Sequence, residues 1–220
     1  THISVMRDIQ SQVESDFLED AAEHDSHSHT PMIKMLVSDV VAGAVIGKGG
    51  SAIRDMQSSS GALVRVSQPR DYYPETSERT VVLSGSVDSI LQAQRIIWQK
   101  IAQFSKPKDR GPVCDVTYVA GKVLIPNECG GLIIGRGGSS IRTVQEEYAA
   151  RLHVTPSDSD ASRISRERVV SVTGSLESCI KASGWIAIKL AESSHLSYRN
   201  QSTSYTRIQS STSRIETTDK

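Results

Sequence analysis

Apolar positions gather in two blocks, residues 31–104 and 113–195, with polar stretches before, between and after them. The first block opens on a run over 32–37 that predicts a short strand, and the second on a similar run over 122–125. A turn of small and apolar residues with helical spacing follows each, over 42–46 and 130–134. After a glycine cluster, the spacing of Ile53 with Met56 and of Ile141 with Val144 predicts a helix. We place Ser51 and Ser139 as the N-caps of these helices, since a serine oxygen can accept a hydrogen bond from a free first-turn N–H. Residues 63–66 and 151–154 alternate as strands. A polar loop leads to a further strand at 80–83 and at 169–172. Each block closes on an amphipathic helix. Val87, Ile90, Leu91, Ile97, Trp98 and Ile101 make its apolar stripe in the first block, and Leu176, Cys179, Ile180, Ile186, Ala187 and Leu190 in the second. The prediction is an α+β chain of two units, each β-α-α-β-β-α, with a three-stranded antiparallel sheet backed by three helices.

The two units are copies. AGAVIGKGGSAIRDMQ at 42–57 matches GGLIIGRGGSSIRTVQ at 130–145 at an offset of 88, which becomes 89 after the variable loop, where Gly85 aligns with Gly174. One departure is Ala149, which stands where the first copy has Gly61. Alanine resists positive φ, so that turn is expected to differ in shape.

Composition refines this division. Residues 1–30 form an acidic leader expected to be disordered; through Pro31 the chain carries seven acidic residues and one basic, so a neutral total hides a body of net +6. Residues 105–112, SKPKDRGP, are expected as a linker and 196–220 as a disordered Ser/Thr-rich tail. No apolar run approaches the roughly 18 residues of a membrane span. Three scattered cysteines exclude a disulfide scaffold and suggest a reducing compartment. Position 1 is threonine, as in a fragment or trimmed chain.

The chemistry lies in the glycine clusters. Ile46-Gly47-Lys48-Gly49-Gly50 and Ile134-Gly135-Arg136-Gly137-Gly138 each separate two predicted helices. Glycine admits positive φ and lets another backbone approach closely. The next helix offers free N–H groups and a partial positive charge. Lys48 and Arg136 add a cation at the loop tip, so consecutive sugar-phosphates could be cradled there. Nucleotide-binding alternatives fail on spacing: Gly43 and Gly47 have three residues between them where a P-loop needs four, a Rossmann loop lacks its third glycine, and both loops follow a helix rather than a strand.

Both units resemble type I KH domains, whose GxxG loop clamps the backbone of about four nucleotides. Residues 70–85 resemble the variable loop and third strand of the Nova and poly(C)-binding branch, and the likeness covers about 150 of the 220 residues. It implies backbone binding by Gly47, Lys48, Gly49, Gly50, Gly135, Arg136, Gly137 and Gly138. It implies a base groove floored by Val45 and Ile46 with Leu63, and by Ile133 and Ile134 with Arg151. Arg65 and His153 share the groove side of their strands. Arg79 and Arg168 match arginines that reach pyrimidine edges in poly(C)-binding relatives. The implied ligand is single-stranded C/U-rich RNA, with single-stranded DNA as a variant, and protein partners in mRNP complexes. The implied processes are pre-mRNA splicing or mRNA stability and translation, in nucleus and cytoplasm.

Other chemistry finds little support. Phe17 and Phe104 are the only phenylalanines and neither falls in a predicted sheet, which argues against modules that stack bases on sheet aromatics. Trp98 and Trp185 are expected in the core, while Tyr72 and Tyr73 could meet RNA or pack on the sheet. His24, His27 and His29 lack partners at ligand spacing, so no metal site is expected. No catalytic triad is legible, Glu146 and Glu147 are adjacent on one helix, and neither an enzyme nor a cofactor is expected. The alternatives are a KH-fold protein scaffold and an RNA-binding fragment of a larger protein.

Overall fold

The computed structural model describes residues 30–104, 118–193 and 202–205. The acidic leader, its histidines, the 105–112 linker and Cys114 lie outside them. The first unit comprises β1 (Met32–Val37), α1 (Asp39–Ile46), α2 (Ser51–Ser60), β2 (Leu63–Val66), β3 (Arg79–Ser84) and α3 (Val87–Phe104). The second comprises β4 (Val119–Pro126), α4 (Gly130–Ile134), α5 (Ser139–Tyr148), β5 (Arg151–Val154), α6 (Asp160–Ser165), β6 (Glu167–Gly174) and α7 (Leu176–Glu192).

Three expectations need correction. The variable loop of the second unit contains a helix, α6, so that unit has four helices and not three. Ser159 caps it, its Oγ accepting the Ser162 N–H at 3.3 Å, and Asp160 complements the first-turn dipole. Ser51 and Ser139 are the first helical residues rather than caps. The cap positions belong to Gly50 and Gly138, both left-handed at φ 76° and 79°. Finally, the two sheets are one. β1 pairs antiparallel with β4, giving a six-stranded sheet of order β2-β3-β1-β4-β6-β5.

That junction has internal symmetry. Lys34 faces Leu124, Met35 faces Val123, and Leu36 faces Lys122. The repeat offset carries Met35 onto Val123 and Lys34 onto Lys122, so the units are related by a pseudo-twofold axis between Met35 and Val123. Ile33, Met35, Val123 and Ile125 are fully buried on one face of these strands. They pack with the apolar stripes of α3 and α7 in a core that runs through both units. Trp98 is wholly buried at the seam, its Nε1 donating to Ser183 Oγ at 2.7 Å. Its ring fills the space beside Gly121, where a Cβ would lie 2.5 Å from it.

The other face of the seam holds Leu36, Tyr73, Leu124 and Val169, and above them Tyr205. Tyr205 falls in the tail expected to lack structure, yet it is fully buried. Lys34 and Glu167 form a buried ion pair beneath it at 2.7 Å. Burial lowers the Lys34 pKa and raises that of Glu167, because desolvation penalises both charges.

Candidate nucleic-acid interface

Each glycine loop is shaped by backbone that only glycine adopts readily. Gly47 sits at φ 72°, ψ 174°, and Gly135 at φ 75°, ψ 171°. A Cβ on Gly47 would lie 2.7 Å from Ala52 N, and one on Gly135 2.7 Å from Ser140 N, so each loop folds tightly onto the helix that follows. Gly49 and Gly137 are the opposite case. They are exposed, and no heavy atom lies within 4 Å of where their Cβ would be. The loop therefore presents bare backbone, with the exposed cations Lys48 and Arg136 beside it.

A second cation at each loop was missed by sequence reasoning. Arg54 and Arg142, at matching positions of α2 and α5, fold back toward the glycines. Arg142 Nη2 donates to the Gly137 carbonyl at 2.8 Å, and Arg54 Nη1 lies 3.3 Å from the Cβ position of Gly50. The signal was an arginine four residues beyond the last glycine in both copies.

The floor differs from expectation. Val45 and Ile133 are fully buried and belong to the core, not the groove. The helical period explains this: Val41, Ala42 and Val45 share the face of α1 that packs inward, so the open stripe is Val40, Gly43, Ala44 and Gly47. Val40 is 61% exposed and Leu63, on the groove side of β2, is 54% exposed. Ile46 and Ile134 are half-buried at the loop. Alternation along β2 and β5 holds: Val64 and Leu152 are buried, whereas Leu63, Arg65, Arg151 and His153 are exposed. In the second unit Glu128 and Leu132 stand where the first has Val40 and Ala44, and Arg151 replaces Leu63. Its trough is thus more charged.

Gln57 and Gln145 fasten the groove walls. The Gln57 side-chain oxygen accepts the Val64 N–H, and that of Gln145 the Leu152 N–H, each at 2.9 Å. These bonds tie α2 to β2 and α5 to β5 at the same place in both units. Ala149 does enter the left-handed region, at φ 50°, ψ 39°, so the turn before β5 keeps a positive φ without glycine.

Arg79 is committed within the fold rather than presented to a ligand, and Arg168 is anchored through its Nε while remaining half-exposed. Arg79 is 6% exposed. Its Nε donates to the Ser67 carbonyl at 3.0 Å, its Nη2 bonds the same oxygen, and Nη1 lies 3.8 Å from Asp39 Oδ1. Arg168, half-buried, donates from Nε to the Thr155 carbonyl at 2.6 Å. Ser67 and Thr155 are repeat mates whose hydroxyls also accept the N–H of Thr80 and Val169. Each arginine therefore locks the variable loop to its strand. Tyr72 donates to Asp39 Oδ2 at 2.7 Å, and this bond to a carboxylate raises its pKa.

The KH domain family matches residues 32–99 and 121–187, one match for each copy of the repeat. The chain belongs to the KH-domain family. Its two KH domains, of type I, are similar to curated relatives over 73% of the chain: 33% identity with the RNA-binding protein Pasilla of Drosophila melanogaster, and 29% with the RNA-binding protein Nova-2 of Homo sapiens. It spans 21% of the length of the first and 34% of the second. Among solved structures, the first KH type I domain of human Vigilin aligns at TM-score 0.32 and 21% identity, covering 44% of this chain and 99% of that one. Among the described residues no helix is long and apolar enough to cross a membrane.

Proposed function

We propose that this tandem KH chain binds single-stranded RNA, one short segment in each groove, and makes or breaks no bond. The observation that carries this reading is the pair of loops with unobstructed glycine backbone at Gly49 and Gly137, flanked by Lys48 with Arg54 and by Arg136 with Arg142. Phosphates meet backbone and cations there, and unstacked bases lie along the trough beside Leu63 and Arg65, or Arg151 and His153. A narrow trough favours pyrimidines, so C/U-rich targets are expected, with single-stranded DNA as a second candidate ligand. The kinship with Pasilla and Nova-2, both named as RNA-binding proteins, supports a role in pre-mRNA splicing, or in mRNA stability or translation, within nuclear and cytoplasmic mRNP complexes.

The test replaces Lys48 and Gly49, or Arg136 and Gly137, by aspartate. Gly49 and Gly137 have open surroundings, and aspartate is among the residues that tolerate left-handed backbone best, so the fold should survive. Each pair should abolish crosslinking of RNA to its own unit and weaken binding of a two-site C/U-rich RNA at least tenfold. Unchanged binding in both variants would leave the protein-scaffold reading in its place.

A further inference from the structure

Two ion pairs cross the seam between the KH units. Lys34 of β1 meets Glu167 at 2.7 Å, and Lys122 of β4 meets Glu78 at 2.7 Å. The repeat offsets carry Lys34 onto Lys122 and Glu78 onto Glu167, so the pairs are pseudo-twofold mates. Their surroundings are not alike. The side chains of Lys34 and Glu167 are 0% and 3% exposed, those of Lys122 and Glu78 are 38% and 24%. Tyr205 packs on the first pair.

Its phenol completes the buried pair. The hydroxyl accepts from Lys34 Nζ at 3.1 Å and donates to Glu167 Oε2. The Tyr205 N–H donates to Asp71 Oδ1 at 3.2 Å. Its ring meets Tyr73 edge-on, with centroids 5.2 Å apart. Tyr73 in turn bonds Ser165 Oγ at 2.9 Å and donates to the Glu167 carbonyl at 3.2 Å. Lys34, Asp71 and Tyr73 belong to the first unit, Ser165 and Glu167 to the second. A single tail side chain thus touches both.

A buried ion pair is stable only where its remaining hydrogen-bonding capacity is met, and removing one partner of such a group is costly. The slot over the seam supplies a cation to donate to a phenol, a carboxylate to receive its proton, an aromatic edge for its ring, and a carboxylate for its backbone N–H. That set matches what a tyrosine offers: a hydroxyl that both accepts and donates, a ring, and its backbone N–H.

We propose that this slot is a docking site for the chain's own tail, and that the segment 202–205 acts as a clasp whose Tyr205 fastens the outer face of the seam already joined by β1–β4 pairing and the shared core. The clasp goes beyond the RNA-binding reading and stands without it. Sealing the Lys34–Glu167 pair also protects the neighbouring β1–β4 hydrogen bonds, while the twin pair at Lys122 stays open to water.

The test measures amide hydrogen exchange in the full chain without RNA, so its outcome is independent of the interface proposed above. In Tyr205→Ala, amides at 34–36 and 122–124 should exchange roughly tenfold faster or more, while those of β2 and β5 at the outer edges keep their wild-type rates. Tyr205→Phe keeps the ring and loses the hydroxyl, and should give a smaller acceleration at the same amides. A synthetic peptide of residues 199–209 added in excess to Tyr205→Ala should restore the seam protection, and the same peptide phosphorylated on tyrosine should not, because a dianion cannot sit against Glu167. Unaltered seam exchange in Tyr205→Ala overturns the clasp. Equal acceleration at seam and edges in both variants overturns it too, since Tyr205 would then be ordinary core.

Discussion

Cys129 and Cys179 illustrate how a single residue carries a pH dependence. Both thiols are buried, and burial pushes each from 9.0 up to about 11. The folded chain therefore keeps protons that the unfolded chain releases between these values. The stability this represents is complete below pH 9 and is lost as pH rises through about 11. A shift of this size is worth about 2.7 kcal/mol per thiol at full effect. Urea unfolding at pH 8 and at pH 10.5 should show stability falling by about 2–4 kcal/mol, and Cys129→Ala with Cys179→Ala should flatten that fall. At the same scale the glycine loops were legible because each glycine has a cause: close packing on Ala52 or Ser140, a left-handed cap, or the left-handed, unobstructed backbone of Gly49 and Gly137. The fate of Arg79 and Arg168 was not legible, because a carbonyl acceptor such as that of Ser67 leaves no mark in the sequence.

The shortest elements were found from pattern to the residue, whereas α1 and β4 begin three residues before their expected starts and β6 runs two residues past each expected end. β2 and β5 begin and end where alternation predicted, and α4 spans the expected small-residue turn. The helix α6 escaped because its six residues are too few for an apolar period to show; only the Ser159 cap and Asp160 marked it. The groove face of α1 was misplaced for a related reason. With Val40, Val41, Val45 and Ile46 all apolar, the pattern alone does not say which face meets the sheet. The walls of the groove depend on a side chain rather than on apolar contact. Gln57→Ala leaves the Val64 N–H without its acceptor and frees α2 from β2. It should cost about 1 kcal/mol in denaturant unfolding. It should also weaken RNA crosslinking to the first unit while leaving the second unchanged, which Gln145→Ala should mirror.

Across the whole molecule, the six-stranded sheet sets where two RNA segments would run under the proposed function. β2 and β5 lie at opposite edges, five inter-strand gaps apart, or about 24 Å at ~4.8 Å per gap. Every neighbouring pair in the sheet is antiparallel, so β2 and β5 point in opposite directions. Copies of one fold read RNA with one polarity, so a strand that fills both grooves must double back. RNAs with two C/U-rich motifs and a variable spacer should bind with single-site affinity while the spacer is too short to cross and turn. Longer spacers should gain on the order of 10²–10⁴ in Kd, measured by titration. The two-unit organisation was visible in the repeat. The fusion of the sheets was not, because β1 and β4 read as ordinary strands whether their edges are bare or paired.

The seam also sorts partners by size. Trp98 of the first unit fills the hollow left by Gly121 of the second. The offsets place Ala187 and Ile33 at the mirrored positions, so bulk and absence of bulk trade sides across the axis. Two first units facing each other would drive Trp98 into Ile33, and two second units would set Ala187 against Gly121 and leave a void. The ancestral duplication has thereby become a lock with one key: each half is shaped for its sister in the same chain and poorly for its own twin in another.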